Sequence, residues 1–254
     1  MPLIAGFVGL LLGMTALWLV SLRMKDSSIV DIFWSLGFIL ACAIYAALTP
    51  EGNAERKLLT LVLVSVWGLR LSAHLARRNL GKGEDFRYAK WRQEAGEAWW
   101  WRSWLKVFAL QGALAWVISA PLYAAQVSTA PLGVLDWLGA GVWLTGFIFE
   151  SVGDWQLARF KADPAHKGRV MQSGLWRYTR HPNYFGDALV WWGLFIIALG
   201  AGGWWTVFSP LLMNYLLVNV SGVAMLESTL KTRKPEYAEY IRRTSAFIPR
   251  PPKD

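Results

Sequence analysis

Apolar residues gather along the chain in seven windows, separated by short stretches that hold most of the charge. The windows run from Leu3 to Leu22, Ile29 to Leu48, Leu58 to Leu75, Leu105 to Ala125, Leu135 to Trp155, Tyr184 to Leu199 and Trp205 to Leu226. A helix of about 20 apolar residues crosses a hydrocarbon core of about 30 Å. The pattern therefore predicts an all-α, polytopic integral membrane protein, a bundle of seven transmembrane helices. The first window has no basic residues before it and runs into Arg23 and Lys25 without a small-residue cleavage site, so it predicts a retained span. No retention signal or cleavable targeting peptide is evident, and a bacterial inner membrane or an endoplasmic reticulum suits the chain equally.

The charges then orient the windows. Of the 26 Lys and Arg residues, 23 lie after span one, between spans three and four, between spans five and six, or after span seven. The other connections hold Arg56 and Lys57, and Arg70 falls within span three. Cytoplasmic loops are enriched in Lys and Arg, so the amino terminus is predicted outside and the carboxyl terminus cytoplasmic. The same asymmetry explains the net charge of +9 and removes the argument for nucleic-acid binding. Composition agrees: 55% hydrophobic residues, 17% charged and a mean hydropathy of +0.31 exclude disorder and an ordinary soluble enzyme. Trp99, Trp100, Trp101 and Trp104 precede span four and Trp204 and Trp205 open span seven, where indoles prefer the headgroup region. The single cysteine, Cys42, excludes a disulfide framework and a cysteine-based metal site. No internal repeat, low-complexity tract or separate soluble domain is evident, so residues 1–254 read as one membrane domain.

Acidic residues in a bilayer are costly and tend to face a cavity. Glu150 and Asp154 lie four apart on span five, Asn183 and Asp187 repeat that spacing behind Arg180 and His181, and Glu227 with Lys231 repeats it after span seven. All point to the cytoplasmic third, either as interfacial ion pairs or as one polar pocket. Asp31 differs, lying in span two on one face with Trp34 and Ser35, while Arg70 and His74 share a face of span three with Trp67. An Asp31 to Arg70 bridge is one reading; an acid kept neutral in an apolar site, ready to donate a hydrogen bond, is the other. Three histidines in three regions make a metal centre improbable.

The segment Gly174-Leu-Trp-Arg-Tyr-Thr-Arg-His-Pro-Asn-Tyr-Phe-Gly-Asp187, followed by Trp191 and Trp192, resembles the carboxyl-terminal signature of the membrane steroid 5-alpha reductase family and related sterol double-bond reductases. The likeness spans roughly residues 140 to 250. It implies that residues 1–125 form a substrate-side half and 126–254 an NADPH-binding half. It assigns the nicotinamide end to Asn183, Tyr184 and Asp187, preceded by Arg180 and His181. Glu150 and Asp154 match a family pair four apart. Lys161 and Arg169 match the clamp for the 2'-phosphate and diphosphate, and Asn79 and Lys82 a weaker element in the same role. Glu227 and Tyr240 match loosely. Asp31 takes the place of the family's catalytic acid, with Trp34 and Trp67 beside it. The family pairs that acid with a tyrosine on span three, where this chain has Trp67 and Gly68.

The implied reaction is NADPH-dependent reduction of a carbon–carbon double bond conjugated to a ketone in a steroid or other enone lipid, drawn from the bilayer. No obligate protein partner is evident. The shorter element R-H-P-x-Y-x-G is shared with the isoprenylcysteine carboxyl methyltransferases, which use S-adenosylmethionine. A non-enzymatic lipid-binding scaffold is the third reading.

Overall fold

The computed structural model describes residues 1–220 and 236–253. Among them the chain is all-helical, and a single bridge between Thr179 and Ser245 is the only strand-like pairing. Among the described residues, four helices are long and apolar enough to cross a membrane: α1 (Pro2–Met24), α2 (Ile29–Leu48), α3 (Ala54–Asn79) and, further along, the helix Pro182–Gly200. A bent pair, Phe86–Ile118 with Ala120–Val127, supplies a fifth crossing if it counts as one span. These helices are those of a multi-pass integral membrane protein.

The bent run contains α4 (Phe86–Ala95), α5 (Trp99–Ser103), a π-helical turn over Trp104–Ala109, α6 (Leu110–Ile118) and α7 (Ala120–Val127). The last two meet at 43°. Pro121 accounts for the bend, because its ring meets the carbonyl four residues back and it has no N–H to give. The window from Leu135 to Trp155 falls within α8 (Val134–Ala162), a continuous helix of 29 residues. α9 is Pro182–Gly200. The last window is divided among a 3-10 turn at Trp204–Val207, α10 (Phe208–Tyr215), a π turn at Leu216–Val220 and residues outside the described ones. A short α11 (Glu236–Arg243) follows.

Two compact units emerge, Met1–Asp136 with Ile197–Thr206 and Trp137–Ile196 with Val207–Asp254. The division falls at Asp136, beyond the 125/126 boundary that the resemblance implies.

In the first unit, α1 buries only Gly6, Leu10, Met14 and Ser21, one stripe of the helix. It turns Ile4, Val8, Leu12 and Leu19 outward, as a lipid-facing helix should. The connections sort into two ends. At one, residues 49–53 meet 126–136: Asn53 N–H donates to Ser128 O at 2.8 Å, and buried Arg56 grips Asp136 at 2.7 and 2.8 Å. At the other end, residues 25–28 meet 80–92.

In the second unit α8 and α9 pack backbone to backbone. A Cβ on Gly186 would stand 2.3 Å from Glu150 N and 2.5 Å from Gly146 O, and one on Gly193 would stand 2.6 Å from Gly139 O. Gly139, Gly146 and Gly153 on α8, and Gly186 and Gly193 on α9, recur every seven residues. Small residues at that spacing let helices approach closely where lipid offers no hydrophobic drive. Replacing Gly186 with Val should therefore cost about 3 kcal/mol or more. Gly141→Ala, where nothing lies within 4 Å, should be neutral or gain up to about 1 kcal/mol. Unfolding midpoints of the detergent-purified variants check this, and equal midpoints would refute the close-packing account.

Candidate functional site

Each unit holds a cluster of polar side chains at helix ends that includes predicted site residues. In the first, two loops are laced together by their own polar groups. Ser28 caps back onto Asp26 Oδ1 through its N–H, at 2.8 Å, and its hydroxyl. Ser27 N–H donates to Glu84 Oε1 at 2.7 Å, and Arg92 holds both Glu84 oxygens at 2.8 and 2.9 Å. Asp85 caps α4 by accepting from Arg87 N–H and also takes the Arg87 Nε–H at 2.7 Å. A cap of this kind sets where a helix starts, so α4 begins beside the first turn of α2.

That placement delivers two side chains to Asp31. The Arg87 guanidinium donates to Oδ2 at 2.8 Å and the Tyr88 hydroxyl to Oδ1 at 2.6 Å. Gln111 Nε2–H donates to the Tyr88 oxygen at 3.3 Å, and Trp34 Nε1–H to the Gln111 carbonyl. Trp91 packs edge-on against the Tyr88 ring at 5.6 Å. Two expectations for Asp31 are corrected here. Its ion pair is with Arg87 from α4, not with Arg70, and its surroundings are a charged network rather than an apolar site. The reason is tertiary: α4 folds back over the start of α2, a contact that no helical spacing encodes.

Burial and the adjacent Asp31 charge push the Tyr88 hydroxyl well above the ordinary phenol range. Burial would lower the Arg87 guanidinium, but its bond to Asp85 and the Asp31 charge outweigh that and raise it. Burial would raise the Glu84 carboxyl, yet the hydrogen bonds from Arg92 and the Ser27 backbone prevail and hold it below the usual carboxylate range. Of the other residues predicted for this region, Trp34 packs on the cluster that includes Tyr88. Trp67 is fully buried on α3 and contacts Phe38 at 5.9 Å. Asn79 ends α3 and Lys82 is exposed in the glycine-flanked turn after it, both in this first unit.

In the second unit, Glu150 and Asp154 are buried one turn apart on α8. Asn183, in the first turn of α9, donates from Nδ2 to Asp154 Oδ1 at 3.1 Å. His181 stacks on Tyr184 with ring centres 5.5 Å apart, and Asp187 lies buried one turn further along α9. Six of the predicted residues thus gather at the α8 and α9 ends. Arg180 and Tyr240 also make backbone contacts. Arg180 donates to the backbone carbonyls of Ile241 and Thr244, and the Tyr240 hydroxyl to Trp176 O. Together with the Thr179–Ser245 bridge they fasten α11 to the loop before α9. Lys161 and Arg169 are exposed around the loop after α8. Beside them Trp155, Arg159, Phe160, His166 and Gly174 line a cavity of about 340 Å³, with Phe160 and His166 stacked at 4.3 Å. Glu227 lies outside the described residues.

Whether this cluster suits a dinucleotide can be judged from its donors and acceptors. Asn183 Oδ1 is buried without a hydrogen-bond partner, so it can accept from a carboxamide. Lys161 and Arg169 are exposed, as cations that meet phosphates must be. The fit is acceptable.

Sequence reasoning missed Arg87, Tyr88 and Gln111. The signal was there in part: Asp85 before Phe86 is a helix-start pattern, and Tyr88 is the one tyrosine between spans three and four.

A model of the family described as "Protein of unknown function (DUF1295)" matches residues 17–244. A Schizosaccharomyces pombe protein, "Uncharacterized protein C594.04c", is 27% identical over 278 aligned positions, covering 96% of this chain and 79% of that protein. No solved structure matches. The chain belongs to the DUF1295 family.

Because the folded-state Glu84 is depressed, its contribution is fully present above the unfolded carboxylate value and is lost as pH falls through the folded one. Thermal stability of the wild type should therefore fall between about pH 5 and pH 3 more steeply than that of Glu84→Gln. Parallel curves would show that Glu84 does not couple to folding.

Proposed function

We propose that this DUF1295 member is an NADPH-dependent oxidoreductase that reduces the carbon–carbon double bond of an enone lipid, in the first instance a 3-oxo-Δ4-steroid to its 5α-dihydro product. It would act within a seven-span bundle with its amino terminus outside and its carboxyl terminus cytoplasmic. The orientation is supported by the first unit, whose Arg23/Lys25 and 77–92 connections share one end while Arg56 and Lys57 lie at the other.

The observation that carries the reading is the Tyr88 hydroxyl bonded to Asp31. The resemblance calls for a tyrosine beside the span-two acid, and the third-span position holds Trp67 instead. α4 supplies the missing phenol. In reducing an enone, negative charge develops on the carbonyl oxygen, and a fixed donor aimed at that oxygen stabilises it. Tyr88, whose O–H is given to Asp31 in the free protein, becomes such a donor when the substrate carbonyl replaces Asp31 Oδ1 as its acceptor. Asp31, ion-paired to Arg87, orients the phenol, and Gln111 fixes its oxygen from the other side. Proton delivery to the alpha carbon falls to solvent, since the one O–H of Tyr88 serves the carbonyl oxygen. Asn183 with Asp154, Tyr184 and Asp187 would hold the nicotinamide end, and Lys161 and Arg169 the phosphates. NADPH, when bound, supplies the hydride. The aromatic cavity beside Arg159 suits a purine ring.

Tyr88→Phe should lower turnover about 100- to 1000-fold with NADPH binding retained. Asp31→Leu should abolish it, while Asp31→Asn keeps a residue of activity. Full activity in Tyr88→Phe would remove the phenol from the mechanism. Binding is checked by thermal shift with NADPH, NADH and S-adenosylmethionine, since a ligand of the folded state raises its midpoint. Stabilisation by S-adenosylmethionine alone would transfer the site to a methyltransferase. Replacing Lys161 and Arg169 with Gln should weaken NADPH about tenfold more than NADH; equal losses would sink the phosphate assignment.

A further inference from the structure

A second cavity, of about 360 Å³, opens between α4, α5 and the π turn that starts span four. Trp91, Trp99 and Trp101 line it together with Arg102, Lys106 and one acid, Glu94. It lies where the polar connection passes into apolar chain: Leu105, also at its edge, is 53% exposed and Trp101 43%. The π turn is itself a signal, since such turns sacrifice hydrogen-bond geometry and tend to mark sites of function. Here it carries Lys106 into the cavity wall.

The charges decide what the cavity accepts. Lys106 Nζ lies 4.2 Å from the centre of the Trp91 ring, Arg102 stands 5.5 Å over Trp101 and Arg92 5.7 Å over Trp99. Each indole face already holds a cation, so a choline headgroup, which an empty aromatic cage would welcome, is repelled. Neither Arg102 nor Lys106 has a carboxylate partner among the described residues. Glu94 is drawn toward Lys90 at 3.9 Å. The wall is therefore net positive, indole-lined and exposed at its Trp101 and Leu105 edge.

We infer that this cavity binds the headgroup of an anionic phospholipid, with the phosphate on Arg102 and Lys106 and the glycerol backbone and first acyl carbons against the indoles. A basic pocket beside a spanning helix recognises anionic headgroups in this way. Glu94 faces the headgroup's hydroxyls, which suits phosphatidylglycerol. A free phosphate would use the two cations and leave the indoles and Leu105 uncovered, so the lipid is the better occupant.

The experiment is native mass spectrometry of the detergent-purified full chain with dioleoyl phosphatidylglycerol, phosphatidylethanolamine or phosphatidylcholine. One phosphatidylglycerol should bind with about tenfold preference over the zwitterionic lipids, each cation adding a few-fold. The preference should vanish in Arg102→Gln/Lys106→Gln and persist in Lys90→Gln. In the wild type it should also collapse between about 0.05 and 0.5 M salt. Equal binding of the three lipids, a preference that survives the double variant, or one indifferent to salt overturns the inference. Displacement of the lipid by equimolar inorganic phosphate would reassign the site to a free anion and overturn it too.

Discussion

A charge that enters a low-dielectric bundle must have all its hydrogen bonds made, and Arg56 shows the constraint met in full. Its five N–H donors are spent on Asp136 Oδ1 and Oδ2, Ser128 Oγ and the carbonyls of Ala130 and Pro131. Gly133 N–H completes the shell around Asp136. This single side chain therefore sets the start of α3, the path of residues 128–133 and the start of α8. Removing either partner strands the other, a loss of roughly 3–5 kcal/mol, whereas the same pair at an aqueous surface is worth about 1 kcal/mol or less.

The opposite end of the first unit obeys the same rule with a different outcome. Glu84, Arg92, Asp85 and Arg87 satisfy one another and the serines of the 25–28 connection. The surplus is Tyr88, whose hydroxyl is drawn to Asp31. Structural pairing and the candidate chemistry are thus one network, and the loop charges also build the site. In the second unit, the glycines that bring α8 and α9 together place Asn183 against Asp154, so helix packing and polar placement again share a cause.

How much of this was legible follows from the range of each interaction. Apolar windows depend on neighbours along the chain, and α1, α2, α3 and α9 stand close to where the pattern puts them. The pairing of Asn183 with the α8 acids was foreshadowed by their shared four-residue spacing and common end. The seven-residue recurrence of glycine was also present in the sequence, but it reads as packing only once two helices are known to face each other. Asp31's partner was not legible, because it comes from a ten-residue helix inside what reads as a polar connection. Nor was the structural duty of Arg180 and Tyr240, whose contacts lie more than 60 residues away.

Asp31's position in the first turn of α2 explains why a carboxylate can be kept there at all. Exposed N–H groups and the positive end of the helix favour an anion, and Arg87 supplies a full opposite charge. The phenol of Tyr88, desolvated and facing a negative charge, is pushed above the ordinary phenol range. In the proposed reaction a phenol so placed would serve the carbonyl oxygen alone, leaving protonation of carbon to solvent.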